Sequence, residues 1–248
     1  MVLPVQESFA QAIADLWARD GVAVDDPRAL ARRVTAAFAG GGDGVADAAR
    51  MLEDSGVRAQ WNDVLRRDRA ARLAKRIRPL VRGPLLDVLT GDGSVCRALS
   101  DLGVAGLSAT ERVGNYTDSV LPAGVPFAPF TDGSHLAQSH AATALLSAVL
   151  HHEPDPSALL DALATSAISR WIVIENCVTA EFTPSFHQFA DLFFNSCLNN
   201  FGVHCGAQHR TLQEWTDLLT HYGTVAVIDA SFIVPGIPFP YSLLEISR

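Results

Sequence analysis

The feature that most limits the possible folds is an alternation that begins at Pro84. Short apolar runs at Leu85–Leu89, Gly106–Thr110, Ala142–Leu150 and Trp171–Glu175 are separated by stretches of helical character, notably Ser94–Leu102 and Pro156–Ser166. Strands that alternate with helices build βαβ units, because a crossover helix returns the chain to lay each strand parallel to the one before it. The run WIVIE at 171–175 has no polar face, as expected of a strand covered on both sides. The last two strands, in GTVAVIDASFIV and PYSLLEIS, are joined only by PGIPFP. That link is too short for a crossover, so the pair should be antiparallel. An α/β fold is expected, with a mostly parallel sheet that closes on an antiparallel strand at its C-terminal side.

Residues 5–82 carry no strand pattern and read as helices. Phe9, Ile13, Leu16 and Trp17 share one helical face that stops at Gly21, and Asp26 followed by Pro27 marks the start of a second helix. Further helices are expected over 45–55 and 62–80. The chain therefore divides into a helical region, 1–82, placed to act as a lid, and a sheet domain, 83–248. The last helix of the lid carries Arg66, Arg67, Arg69, Arg72, Lys75, Arg76 and Arg78 interleaved with apolar residues. This pattern reads as the solvated face of an amphipathic helix.

Basic residues number 19 against 27 acidic, a net charge of −8. A general nucleic-acid binder is excluded on that balance, since phosphate neutralisation needs a positive surface. The four cysteines, Cys96, Cys177, Cys197 and Cys205, form no CxxC pair, so reduced thiols are expected rather than a zinc site or a disulfide framework. No apolar stretch approaches the roughly 20 residues that span a bilayer. With no signal-like N-terminal segment either, the chain reads as cytoplasmic and independent of membranes.

In open α/β sheets ligands bind beyond the carboxyl ends of the strands. The first strand end offers Asp87, Thr90, Gly91 and Gly93, where glycines let backbone amides approach a ligand and a helix N-terminus attracts its negative group. The second offers Glu111, spaced to accept hydrogen bonds from ribose hydroxyls, and the third Asp132, placed for an adenine amino group. The fourth gives His151, His152 and Glu153, and the fifth Glu175 and Asn176.

These residues, in this order, resemble class I S-adenosylmethionine-dependent methyltransferases over roughly 80–248. The first motif of that family is an acidic residue followed by three alternating glycines. Asp87, Gly91 and Gly93 match it, and Leu89 stands where the first glycine would be. Glu111 and Asp132 match the ribose- and adenine-binding acids, and AVLHHEPDPSALLDAL is similar to the stretch after the fourth strand. The resemblance implies a Rossmann-like seven-stranded sheet and a site for S-adenosylmethionine or S-adenosylhomocysteine held by Asp87, Thr90, Gly91, Gly93, Glu111, Asp132 and His151.

Methyl transfer requires an aligned acceptor and, for many acceptors, removal of its proton. His152, Glu153 and Glu175 at the strand ends are candidates for that task, and so is His187. His187, Asp191, Asn195 and Asn199 recur every fourth residue in FHQFADLFFNSCLNNFG, forming a polar stripe on an otherwise phenylalanine-rich helix. Such a helix suits a lid over a substrate cavity. His187 and Asp191 alone, with no supporting motif, do not make a metal site. The expected activity is methyl transfer to an oxygen or nitrogen of a small molecule in bacterial natural-product biosynthesis. The alternative is a methyltransferase-like cyclase that closes a ring by intramolecular substitution or a pericyclic step. A homodimer or a partner protein is compatible with either.

Overall fold

A computed structural model describes residues 4–112, 120–199 and 208–248. Its sheet holds seven strands: β1 (Leu85–Asp87), β2 (Leu107–Glu111), β3 (Phe127–Pro129), β4 (Thr143–Ser147), β5 (Arg170–Asn176), β6 (Thr224–Phe232) and β7 (Tyr241–Ser247). Their order across the sheet is β3-β2-β1-β4-β5-β7-β6. The first five run parallel, and β7 inserts antiparallel between β5 and β6. The chain steps from β1 to β2 on one side and returns to β4 on the other. The switch in strand order therefore falls between β1 and β4, where ligand crevices form.

β5 shows why the centre is apolar throughout. Alternate residues of a strand face opposite sides, so Ile172 and Ile174 enter one core layer while Trp171 and Val173 enter the other. Over the second layer lie α7 (Pro156–Ala164) and α9 (Leu212–Thr220), the latter opened by a capping box between Thr211 and Glu214. Over the first layer lie α6 (Ser94–Asp101) and the whole N-terminal region: α1 (Val5–Asp20), α2 (Pro27–Ala39), α3 (Asp43–Asp54), α4 (Val57–Asp63) and α5 (Ala70–Ile77).

α4 and α5 are one continuous rod, joined by a π-helical turn over Val64–Arg69. α8 (Pro184–Phe193) likewise runs on into a π-helical turn, Phe194–Asn199. Phe9 of α1 meets Phe186, Phe189 and Phe193 of α8 edge-on, at ring-centre distances of 5.8, 5.2 and 5.1 Å. Trp17 packs across Trp61 at 5.4 Å, and the Trp61 indole donates to the Gly236 carbonyl. The end of α1 is tied to the same β6–β7 connection. Asp20 accepts from the Gly236 amide at 2.6 Å, and Arg19 donates to the carbonyls of Val234 and Ile237.

Two local expectations change. β4 stops at Ser147 rather than running to Leu150, because Ala148 adopts a left-handed backbone, φ +58°, and a 3-10 turn follows over Leu150–His152. The arginine-rich stretch is not wholly solvated. Arg76 is paired with Asp229 and lies 4.3 Å over the Phe232 ring, and Arg69 reaches the Tyr241 hydroxyl.

A cavity between the glycine loop and a histidine cluster

The loop after β1 keeps the backbone path of a glycine loop with a leucine in it. Leu89 has φ +55°, Gly91 +63° and Gly93 +79°. A left-handed leucine costs roughly 1–2 kcal/mol, and its neighbours hold it there. The Leu89 amide donates to the Thr110 hydroxyl, the Thr90 amide to the Thr110 carbonyl, and the Val88 amide to the Leu145 carbonyl. The strands on both sides of β1 therefore clamp the strained residue. Beyond it, the Gly91 amide donates to Glu111 Oε2 at 2.6 Å, and the Arg112 amide donates to Oε1 at 2.7 Å. Asp87 is buried beneath the loop and accepts from the Thr90 hydroxyl at 2.6 Å. Burial, aided by the nearby Glu111 and Asp92, raises its pKa to about 7.

Asp87, Leu89, Thr90, Gly91 and Glu111 line one side of a cavity at the switch point. The other side is made by Ser147 and Val149 at the end of β4, with His151, His152 and Glu153. Two π turns close it: Leu65, Arg66 and Arg69 come from that of the N-terminal helices, and Phe194 and Asn195 from that following α8. π turns displace side chains from the regular helical register and recur at functional sites. Arg66 and Arg69 are thus cavity residues that a solvated-face reading of the sequence missed. The π turn adds one residue to an otherwise helical pattern and leaves little signal in the sequence.

Four sequence-derived site residues lie elsewhere. Asp132 is exposed on the loop after β3 and does not line the cavity. Gly93 does not line it either: a Cβ there would sit 2.7 Å from the Leu121 side chain, so its close approach is to the chain itself. The 120–121 segment is held over the loop by the Val120 amide on the Asp92 carbonyl. Glu175 is fully buried behind the cavity wall, and His187 is buried behind His209. Glu153 lines the cavity but is engaged by Arg112 in a two-pronged pair at 2.7 and 2.8 Å, linking the ends of β2 and β4.

Glu175 instead organises the cluster in front of it. One oxygen accepts the amides of Val149 and Leu150, and the other meets His151 Nδ1 at 2.6 Å. The far nitrogen of His151, Nε2, faces Asp191 Oδ1 at 3.7 Å, and His152 Nδ1 faces Asp191 Oδ2 at 3.4 Å. The polar stripe on α8 therefore points inward. Asp191 meets the histidines, Asn195 donates to Asp191, and His187 meets the Cys177 carbonyl; the Asn199 side chain lies outside the described set. The rings of His151 and His152 are 4.1 Å apart, and His209 stacks between His151 and His187 at 5.2 Å from each. Burial pushes His151 toward the neutral form, but Glu175 and Asp191 together outweigh it and hold its pKa well above 6.5. The charge on His151 outweighs burial in turn at Asp191 and lowers it to about 2. Burial, joined by the charge on the neighbouring His151, lowers His187 to about 4 and His209 to about 3.

No protein-family model and no curated protein matches the sequence. Solved structures do resemble it in fold. The mitomycin 7-O-methyltransferase MmcR superposes with a TM-score of 0.51 and 19 % identity, over 99 % of this chain and 74 % of its own. The methyltransferase domain of bacterial CtHen1 superposes at 0.51 and 13 % identity, over 76 % of this chain and 100 % of that one. A pericyclic reaction enzyme matches at 0.48 and 16 % identity, and the chain spans only 44 % of its length, a likeness too slight to bear on function. The chain has the fold of class I S-adenosylmethionine-dependent methyltransferases. Among the described residues no helix is long and apolar enough to cross a membrane.

Proposed function

We propose that this chain binds S-adenosylmethionine and transfers its methyl group to an oxygen or nitrogen of a small molecule. The observation that carries this reading is a single cavity that joins the glycine loop and Glu111 to a histidine–carboxylate cluster. The cavity residues fit the cofactor. The loop keeps left-handed turns at Leu89 and Gly91, Glu111 stands beside it, and the buried Ser147 hydroxyl on the same wall has no partner among the described residues. Carboxylate oxygens accept more than one hydrogen bond each, so Glu111 can serve both the Gly91 amide and a ribose. The bound cofactor would supply an electrophilic methyl carbon, and S-adenosylhomocysteine would occupy the same residues.

The rest of the work falls to the chain. Thr90, Gly91 and Glu111 would hold the adenosine end. His152, which is 18 % exposed, is the member of the cluster that an acceptor can reach, and proton removal is assigned to its side of the cavity. Glu175 is a positioning residue that fixes the ring of His151, while Arg66 and Arg69 present positive charge to the acceptor. Mixing the protein with methyl-labelled S-adenosylmethionine and a panel of phenols, hydroxylated heterocycles and amines tests the reading. Label in an acceptor supports it; cofactor binding with no transfer to any acceptor removes it.

That second outcome would favour the cyclase reading, and one observation supports keeping it. Leu89 places a four-carbon side chain on the cavity wall where the family motif has none. If that side chain displaces the reactive end of the cofactor, the same cavity is left to orient a substrate for ring closure.

A further inference from the structure

We propose that His151, His152 and Asp191 bind one divalent transition-metal ion of the zinc class. One ligand atom from each residue lies within 4.8 Å of the other two, and each histidine faces its own oxygen of Asp191, His151 Nε2 at 3.7 Å from Oδ1 and His152 Nδ1 at 3.4 Å from Oδ2. Metal–nitrogen bonds of about 2.0–2.1 Å in tetrahedral geometry set ligand atoms roughly 3.4 Å apart, so the group needs little movement to close on an ion. Asp191 Oδ2 is buried and accepts no hydrogen bond among the described residues. Glu175 engages Nδ1 of His151 and leaves Nε2 turned toward Asp191. A carboxylate on the far nitrogen of a histidine is how metal-bound imidazoles are oriented and made more basic. Two imidazoles and one carboxylate suit zinc, cobalt, nickel or iron better than magnesium or calcium, which prefer all-oxygen sites.

In the sequence, the helix stripe paired only His187 with Asp191, four residues apart, which did not make a metal site. The fold breaks that pair and replaces His187 with two histidines from the end of β4. Three protein ligands leave a fourth position open, the arrangement of reactive rather than purely structural sites. All three residues line the cavity, so an acceptor oxygen would reach that position. There the positive charge would ease loss of its proton to solvent. This consequence rests on the methyl-transfer reading, whereas ion binding does not.

The test is calorimetry of chelator-treated full-length protein with zinc(II), paired with visible absorption of the cobalt(II)-loaded protein. One ion per chain is expected, with a cobalt spectrum of low-symmetry, four-coordinate type. Asp191→Asn and His152→Gln should each weaken binding at least a hundredfold, and Glu175→Gln by about 10–100-fold, with helix content by circular dichroism retained. Should Asp191→Asn fail to fold, the more exposed His152→Gln decides alone. Absence of stoichiometric binding, or binding that His152→Gln leaves unchanged, overturns the proposal. Methyl transfer that proceeds undiminished in chelator would overturn the ion's part in proton loss while leaving the proposed function standing. Ion binding without transfer would do the reverse.

Discussion

Leu89 shows how one residue can keep a backbone and change a site. Its left-handed conformation costs stability on the order of 1–3 kcal/mol, and hydrogen bonds on both flanks keep it in place. Leu89→Gly loses the side chain's packing and adds unfolded-chain entropy, but it relieves that strain. Leu89→Ala keeps the strain and loses the side chain's packing. Chemical denaturation should therefore rank glycine above alanine by about 1 kcal/mol; the reverse order would mean that φ +55° is not strained. Glu111→Ala should weaken S-adenosylmethionine binding by about 1–3 kcal/mol, the scale of charged hydrogen bonds, in a calorimetric titration. At this scale the sequence was partly legible. Asp87, Gly91 and Glu111 were visible as strand-end residues because loop and strand spacing is short-range. Asp132 was legible as a strand-end residue too, and it is exposed and does not line the cavity. Glu175 was visible as a strand-end carboxylate, but its partners, His151 and two amides from the β4 end, come together only through the β4–β5 register.

Elements carried the most readable information and also the main surprise. The strand–helix alternation announced the parallel sheet, and the six-residue link announced the antiparallel β7. The π turns at Val64–Arg69 and Phe194–Asn199 were hidden, because each adds only one residue to an otherwise helical pattern. They matter, since they aim Arg66, Arg69 and Asn195 at the cavity. The polar stripe at His187–Asn195 was legible in the sequence, but not that Asp191 on it meets the histidines from the end of β4. Gly93, which opens α6, tests how the elements meet: Gly93→Ala would combine φ +79° with a 2.7 Å clash against Leu121. It should lower the midpoint of thermal unfolding, and Leu121→Ala should recover part of the loss. If Leu121→Ala gives no recovery, the 120–121 segment does not rest on the loop.

For the whole molecule, one core layer runs from Phe9 to Tyr241 and unites the N-terminal helices with the sheet. Phe9, fully buried among α8 rings, should cost about 3–5 kcal/mol on replacement by alanine. The loss should appear equally in far-ultraviolet dichroism and tryptophan fluorescence if helices and sheet unfold together. Asp87 gives the fold a pH signature. Its pKa is raised from 3.8 to about 7 by burial, so the neutral carboxyl stabilises the folded form most fully below pH 4. That contribution falls away as pH rises from 4 through 7. Asp87→Asn should flatten melting temperature across that window; an unchanged slope would show that Asp87 is not the titrating group.

The hydrogen bonds between the end of α1 and the β6–β7 connection have a practical consequence. Ile237, Phe239 and Tyr241 line the cavity, and the connection that leads into them is fastened by Arg19 and Asp20. A change as remote as Asp20→Ala should therefore register as altered substrate preference, with no side chain at the reacting atoms touched.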